Sequence, residues 1–299
     1  MNLHDEVEKI KGEGYSEANA EAKLCQDIVL KAIAESGMGR NATIKGGVVM
    51  RSISKNARRA TQDLDLDFIR YSISDESIKR FIEKLNCLDG LKIGIAGNIT
   101  ELNHQDYKGK RITLTVEDTE GTMLSLKMDI GVHADLTLEQ EEYAFDVGFQ
   151  DDAVSLLINS RHQMITEKLK SLVRFGSRST RYKDVFDIYY LKEEVDVDKL
   201  RGCIEKYIFA DNTLKKRDVK SLRDSLLEKL EGNKENVGDR YKNEIRIIGP
   251  SKDRAIWCDG AAVWFENRMV ALFFLLSFLW DMLCAHNKNG GWECHRKGW

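Results

Sequence analysis

The pattern of hydrophobic and polar residues changes twice along the chain. Over residues 1–36 apolar residues such as Leu24 and Ile28 recur at helical spacing with charges between them, which predicts helix. Over residues 63–68 acidic and apolar residues alternate, which predicts a strand with its aspartates on one face. Further segments are predicted as strands over residues 42–44, 91–100, 111–116 and 123–132, and as helices over residues 48–54 and 77–85, with Asp75 as the candidate cap of the last.

Helical spacing returns in the second half of the chain. Residues 163–192 and 197–231 are long patterns rich in Lys, Glu and Leu, and Gly232-Asn233 is a stop signal after them. The order of helix, mixed sheet and helices predicts an α/β (α+β) catalytic core followed by a C-terminal helical domain. We expect a core over residues 1–160 with an N-terminal helix, and a helical domain over residues 161–250 that completes the site.

Residues 251–299 form an atypical tail. All five tryptophans follow Pro250, the only proline, and residues 269–284 are an apolar run interrupted by Ser277 and Asp281. This run is shorter than the ~18 to 20 apolar residues of a typical spanning helix. The tail is either a membrane-contacting or partner-binding segment, or the product of a shifted reading frame. We favour the second interpretation and give the tail no weight in the functional argument.

Composition narrows the class of protein. The net charge of -3 at pH 7 indicates no overall attraction to nucleic acid or to an anionic membrane, although a local basic patch can still bind RNA. Six scattered cysteines, with Cys25 and Cys87 expected in the core, suit a reducing compartment. The N-terminus has neither the basic start nor the apolar stretch of a signal peptide. We therefore expect a cytoplasmic protein with no firm membrane association.

Three aspartates are candidate metal ligands. Asp63 and Asp65 lie two residues apart on the predicted strand, so their side chains point the same way, about 6 to 7 Å apart along it. Asp129, flanked by Met128 and Ile130 on another predicted strand, can supply a third carboxylate. Carboxylates in this arrangement can hold Mg²⁺ ions against the triphosphate of an NTP, which is the chemistry of nucleotidyl transfer.

Gly46 and Gly47 are candidate nucleotide-binding residues. They lie between a predicted strand and a predicted helix, where backbone N–H groups and a helix N-terminus can bind phosphate oxygens. Glycine also lets the nucleotide approach without a Cβ in the way. Alone, such a pair is more often only a turn, and the acidic strand alone could be a solvated edge. A calcium loop is disfavoured, because Phe68 and Ser74 stand where it needs Gly and Glu.

A second candidate cluster lies at the start of the helical part. Lys168 can contact the triphosphate as a point charge, and Asp184 can orient that lysine or act as a base toward the acceptor. Asp184 and Asp187 share one helical face. The alternative is an ordinary salt bridge on a solvated, lysine-rich helix.

Taken together, these motifs resemble the AbiEii/AbiGii-type nucleotidyltransferase toxins of type IV toxin–antitoxin and phage abortive-infection systems. The resemblance covers roughly residues 15–195. It rests on five segments: residues 44–50 (IKGGVVM), 59–66 (RATQDLDL), 128–130 (MDI), 167–169 (EKL) and 181–189 (RYKDVFDIY).

The resemblance implies a polymerase-β-like core, an NTP and Mg²⁺, a cognate antitoxin, and the 3′ end of tRNA as acceptor. It also implies that activity needs Asp63, Asp65, Lys168 and Asp184, and it places Thr61 where related toxins carry a modifiable Ser or Thr. The link between Lys168 and Asp184 is longer than the family pattern. Asp187 therefore competes for the role of Asp184, and Lys170 for that of Lys168.

Three functional hypotheses follow. The first is an NTP:acceptor nucleotidyltransferase toxin whose RNA is docked through phosphates by four arginines, namely Arg58, Arg59, Arg178 and Arg181. The second is transfer of a nucleotidyl or phosphoryl group to a protein side chain. The third is a non-catalytic binding or immunity module that retains the fold as a scaffold.

Overall fold

The computed structural model describes most of the chain up to residue 231. The described residues are 1–55, 59–102, 109–133, 135–137, 140–175, 182–192 and 195–231. The chain divides into two compact units between Ser160 and Arg161. Each unit is described by itself below.

The helices of the first unit pack their apolar faces into its core. They are α1 (Leu3–Gly12), α2 (Glu17–Glu35), α3 (Gly46–Ser54) and α4 (Asp75–Lys84), with a short 3-10 turn at Gly39–Asn41. The predicted helix of residues 1–36 is thus two helices, because the chain turns at Gly14, whose φ of 97° no ordinary helix accommodates. α2 is the more buried of the two, and Leu24, Ile28 and Ile33 are fully or almost fully covered.

One mixed seven-stranded sheet forms the centre of the first unit. Its strands are β1 (Ala42–Lys45), β2 (Asp63–Phe68), β3 (Leu91–Leu102), β4 (Gly109–Asp118), β5 (Met123–Val132), β6 (Gln140–Phe145) and β7 (Val154–Asn159). Their order is β3-β4-β5-β2-β1-β7-β6. The β2–β5 and β1–β7 pairs are parallel and the others antiparallel. The predicted α/β class with a mixed sheet is confirmed, and β6 and β7 were not predicted from the sequence.

β2 is anchored by its apolar face. Leu64, Leu66 and Phe68 are buried, and the Phe68 ring packs edge-on against Phe81 of α4 with 4.9 Å between ring centroids. Because side chains alternate along a strand, burying these residues directs Asp63 and its acidic neighbours to the opposite face.

Two local predictions are wrong. Ser74 rather than Asp75 caps α4, because the Ser74 side chain accepts a hydrogen bond from the backbone N–H of Ser77. Cys25 is buried as expected, but Cys87 is exposed, since it lies in the turn just after α4 ends.

The second unit is helical in its described part. Its helices are α5 (Arg161–Phe175), α6 (Tyr182–Leu191), α7 (Val197–Ile204) and α8 (Val219–Glu231), and α7 continues into a π-helical turn at Glu205–Phe209. The predicted helical pattern of residues 163–192 is thus two helices, and that of residues 197–231 is interrupted by the turn. Leu169 and Leu200 are fully buried in its core.

No helix among the described residues has both the length and the hydrophobicity needed to cross a membrane. The predicted tail, residues 251–299, and the stop signal Gly232-Asn233 lie outside the described residues.

Candidate active site

Four aspartates lie on one face of the sheet in the first unit, on two neighbouring strands. Asp63, Asp65 and Asp67 lie on the same face of β2, and Asp129 lies directly opposite Asp65 on the parallel neighbour β5. We call these four residues the acidic cluster. The structure therefore brings the predicted Asp129 beside the predicted Asp65, and adds Asp67, which was not predicted as a site residue.

The charge of Asp65 is unfavourable in this environment. The pKa of its carboxyl is raised to about 6, chiefly by burial and then by the negative charges of Asp129, Asp63 and Asp67, while Lys45 acts in the opposite direction. Lys45, which lies opposite Asp65 in the strand register, forms its ion pair with Asp67. A cation bound at Asp65 would therefore relieve the repulsion between its carboxylate and the neighbouring aspartates.

Gly46 lies against this carboxylate. β1 places Lys45 opposite Asp65, and α3 begins at the next residue. Gly46 has a φ of 66°, and a Cβ at this position would overlap Asp65 Oδ2. Only glycine meets both conditions without strain, so the turn and the acidic strand can approach closely.

Gly47 lies against the segment that leads into β2. A Cβ on Gly47 would come within 2.6 Å of the Thr61 Cβ atom. The predicted nucleotide-binding residues Gly46, Gly47 and Thr61 are therefore adjacent to one another and to Asp65, and the N-terminus of α3 opens beside the acidic cluster.

Two cations partly balance the acidic cluster, and sequence reasoning predicted neither. Lys45 Nζ lies 2.9 Å from Asp67 Oδ2. Arg111 of β4, opposite Asp129 in the strand register, donates hydrogen bonds from Nε and Nη2 to the two Asp129 oxygens at 2.6 and 2.8 Å. Arg111 belongs to a strand predicted from the sequence, but strand pairing across the sheet was needed to place it on Asp129.

A buried polar network holds the segment before β2. The Gln26 side-chain amide of α2 donates to the backbone carbonyls of Thr61, at 2.9 Å, and Asp63, at 3.3 Å. Arg51 of α3 donates to Gln26 Oε1 at 2.5 Å and to Asp27 Oδ1 at 2.9 Å. The network therefore links both helices to the start of the acidic strand.

The donor set of the acidic cluster fits a hard divalent cation. Carboxylate oxygens are the ligands that Mg²⁺ takes in proteins, and the like charges around Asp65 favour a cation there. Among the residues that the structure describes, no three His, Cys, Asp or Glu side chains are already grouped as a metal site. In this arrangement Asp129 is held by Arg111.

The second unit contains a lysine between two carboxylates. Lys168 Nζ of α5 lies 2.5 Å from Asp187 Oδ2 and 3.5 Å from Asp184 Oδ1, both on α6. Lys170 instead lies 2.8 Å from Asp211. Of the two lysines, Lys168 is thus the one that meets Asp184 and Asp187, and Asp187 makes the shorter contact.

The predicted RNA-docking arginines are largely beyond what the structure covers. Arg58, Arg178 and Arg181 lie outside the described residues. Arg59 is described and is partly exposed.

Residues 28–250 match a family model described as the nucleotidyl transferase AbiEii toxin of a type IV toxin–antitoxin system. The chain belongs to the AbiEii family. The match spans most of the chain, including α3, the acidic cluster and the Lys168 region, and it confirms the resemblance found in the sequence. This AbiEii protein is therefore a nucleotidyltransferase enzyme and a toxin, with a nucleotide substrate and an antitoxin partner, so a non-catalytic module is not supported.

Two solved structures show a distant similarity to this AbiEii chain. An antigenic nucleotidyltransferase-like protein from Paracoccidioides brasiliensis is 13% identical with a TM-score of 0.38, and the alignment covers 68% of this chain and 92% of that one. The antibiotic-resistance factor ANT(2'')-Ia is also 13% identical with a TM-score of 0.38, and the alignment covers 61% of this chain and 91% of that one. A comparison with curated proteins gives no match.

Proposed function

We propose that this AbiEii enzyme uses Mg²⁺ to transfer a nucleotidyl group from an NTP to the 3′ end of tRNA in the cytoplasm. In this reaction an acceptor oxygen forms a bond to the α-phosphorus of the NTP, and the bond from that phosphorus to pyrophosphate breaks. The acceptor hydroxyl loses its proton to a base, and pyrophosphate leaves.

The observation that carries the proposal is the position of Asp65. It lies beside Asp129 on the next strand and against the Gly46 turn, with its pKa raised to about 6. Asp63, Asp65 and Asp129 are the residues that would hold the cation. Bound there, Mg²⁺ would activate the attacking oxygen and neutralise charge on the leaving pyrophosphate.

The Gly46 turn supplies the proposed phosphate-binding groups. The first N–H groups of α3 have no partner within the helix and carry its positive dipole end. Because Gly46 and Gly47 lack side chains, phosphate oxygens can approach these N–H groups closely. Thr61, packed on Gly47, adds a hydroxyl next to the same groups.

Lys168 is the proposed triphosphate-binding lysine. Its ammonium is fixed by a short contact to fully buried Asp187 and a longer one to Asp184. We propose that Asp187 orients Lys168 and that Asp184, whose contact with Lys168 is the longer one, assists the acceptor. Of the two roles that the sequence suggested for Asp184, this proposal keeps assistance to the acceptor and gives the orientation of Lys168 to its competitor, Asp187.

The acceptor is the part of the proposal that rests on the resemblance of the motifs to the toxin family. A labelled-nucleotide experiment tests it together with the site. The wild type, Asp65→Asn and the control Asp89→Asn, an exposed aspartate after α4, are incubated with each labelled NTP, Mg²⁺, and tRNA or protein fractions.

We expect label in tRNA for the wild type and the control, and a loss of at least about a hundredfold for Asp65→Asn, the size typical of a key electrostatic group. Label in protein instead of RNA would show that the acceptor is wrong. Undiminished transfer by Asp65→Asn would show that the acidic cluster is not the site.

A further inference from the structure

Arg111 occupies the carboxylate that the proposed cation needs. Its Nε and Nη2 atoms bind both oxygens of Asp129 in a two-pronged contact, at 2.6 and 2.8 Å. Such paired, charge-assisted bonds use the same oxygen atoms that would otherwise ligate a metal ion. A cation and the Arg111 guanidinium are therefore competitors for Asp129.

The acidic cluster holds Arg111 electrostatically as well as by hydrogen bonds. Asp63 and Asp65 lie on the same face of the neighbouring strand β2, so their negative charges add to the attraction between Asp129 and the guanidinium. A divalent ion entering beside Asp65 would add positive charge to this region. This added charge would weaken the attraction between the acidic cluster and Arg111 at the same time as the ion binds Asp129.

The side chain of Arg111 is exposed enough to change its position, whereas the side chain of Lys45 is held in place. The Arg111 side chain is 45% exposed, while that of Lys45 is 13% exposed and is bound to nearly buried Asp67. A long side chain that is half in solvent can change rotamer without opening the core. Lys45 is in contrast a fixed counterion of the sheet.

We propose that Arg111 is a further nucleotide-binding residue of this site, which holds Asp129 in the free enzyme and transfers to an NTP phosphate when the cation takes Asp129. This inference rests on the proposed function. The planar guanidinium binds a phosphate in the same two-pronged manner as a carboxylate, so the exchange replaces one paired contact with another.

Two binding titrations on the wild type, Arg111→Gln and Arg40→Gln test this. Arg40 is a matched control because it is a solvent-exposed arginine of the same unit, paired with Glu142 across the surface. The first titration measures Mn²⁺ binding to the nucleotide-free protein by electron paramagnetic resonance. The second measures the Kd of a non-hydrolysable NTP analogue at saturating Mn²⁺.

For Arg111→Gln we expect Mn²⁺ to bind about tenfold more tightly and the analogue about tenfold more weakly, the size of one charge-assisted pair. Arg40→Gln should match the wild type in both. The two affinities should thus change in opposite directions. A purely structural role of Arg111 predicts something else, because a poorly folded variant would bind both Mn²⁺ and the analogue more weakly.

Unchanged or weaker Mn²⁺ binding by Arg111→Gln overturns the competition for Asp129. Tighter Mn²⁺ binding with an unchanged analogue Kd overturns the transfer to phosphate. If the wild type shows no saturable Mn²⁺ binding, the proposed function itself fails, and that result is distinct from failure of the Arg111 inference alone.

Discussion

Asp27 and Asp65 lie in the same unit, but the surroundings of Asp27 stabilise its negative charge whereas those of Asp65 destabilise it. Asp27 is fully buried and satisfied: Lys23 and Arg51 form ion pairs with it at 2.7 and 2.9 Å, and the backbone N–H of Gly148 donates at 3.1 Å. Asp65 faces other aspartates, and its pKa is raised to about 6. The ion pairs of Asp27 stabilise the fold without any ligand. Asp65 is repelled by its acidic neighbours, and a bound cation can relieve that repulsion.

This contrast distinguishes a structural acid from a functional one by more than burial. Asp27 is fully buried and Asp65 is half-buried, and the larger difference lies in which neighbours neutralise each charge. A buried acid with its own cations gains nothing from an added ion. An acid among like charges beside an open helix N-terminus gains from both a metal ion and the phosphates that accompany it.

The largest stability effect should come from Asp27. Asp27→Asn leaves Arg51, which is 6% exposed, without its ion-pair partner, so we expect the free energy of unfolding to fall by about 3–5 kcal/mol. Denaturant titration measures this. The control Glu35→Gln, on the same helix and paired with Lys31 at the surface, should change it by less than about 1 kcal/mol. Similar values for both variants would contradict the structural role of Asp27.

Gly46→Ala should have the next largest effect on stability. The new Cβ meets both the positive φ and the overlap with Asp65, so we expect about 1–3 kcal/mol of destabilisation and a loss of nucleotidyl transfer. Gly12→Ala is the matched control, since a Cβ there meets nothing within 4 Å. A Gly46→Ala variant with wild-type stability and activity would show that the turn does not need glycine.

Asp65→Asn should have the opposite sign to Asp27→Asn. Removing a charge held at a raised pKa should stabilise the metal-free protein at pH 7 by about 1–2 kcal/mol, discounted for its partial exposure, while transfer is lost. Thermal unfolding in EDTA measures this effect. Destabilisation would show that Asp65 is a structural acid like Asp27.

The smallest effect is the pH dependence of that same group. The folded-state pKa of Asp65, about 6, lies above its ordinary value of 3.8, so the native state binds the extra proton between these values. The contribution of Asp65 to stability should therefore decline as pH rises from about 4 to about 6, and Asp65→Asn should remove this slope. Unfolding curves of both proteins across this range measure the difference, and identical slopes would contradict it.

Much of the acidic strand was predictable because its signals are local. The alternation of acidic and apolar residues predicted that Asp63 and Asp65 share one face of the strand, and the glycine pair predicted the turn before α3. The Arg111–Asp129 pair was not predictable, since it depends on strand register. β6 and β7 were not predicted; they pair with each other, and β7 joins the sheet through β1, far along the chain. Helical spacing put Asp184 and Asp187 on one face, but only packing shows that Asp187 lies nearer Lys168.

The most direct test of the account is Mn²⁺ binding to Asp65→Asn compared with Asp67→Asn, a neighbour on the same face of β2 that is already paired with Lys45. If the acidic cluster holds a cation through Asp65, electron paramagnetic resonance should show at least about a tenfold loss of Mn²⁺ affinity for Asp65→Asn. Folded Asp67→Asn should keep most of the wild-type affinity. Equal Mn²⁺ binding by the wild type and Asp65→Asn would contradict the account.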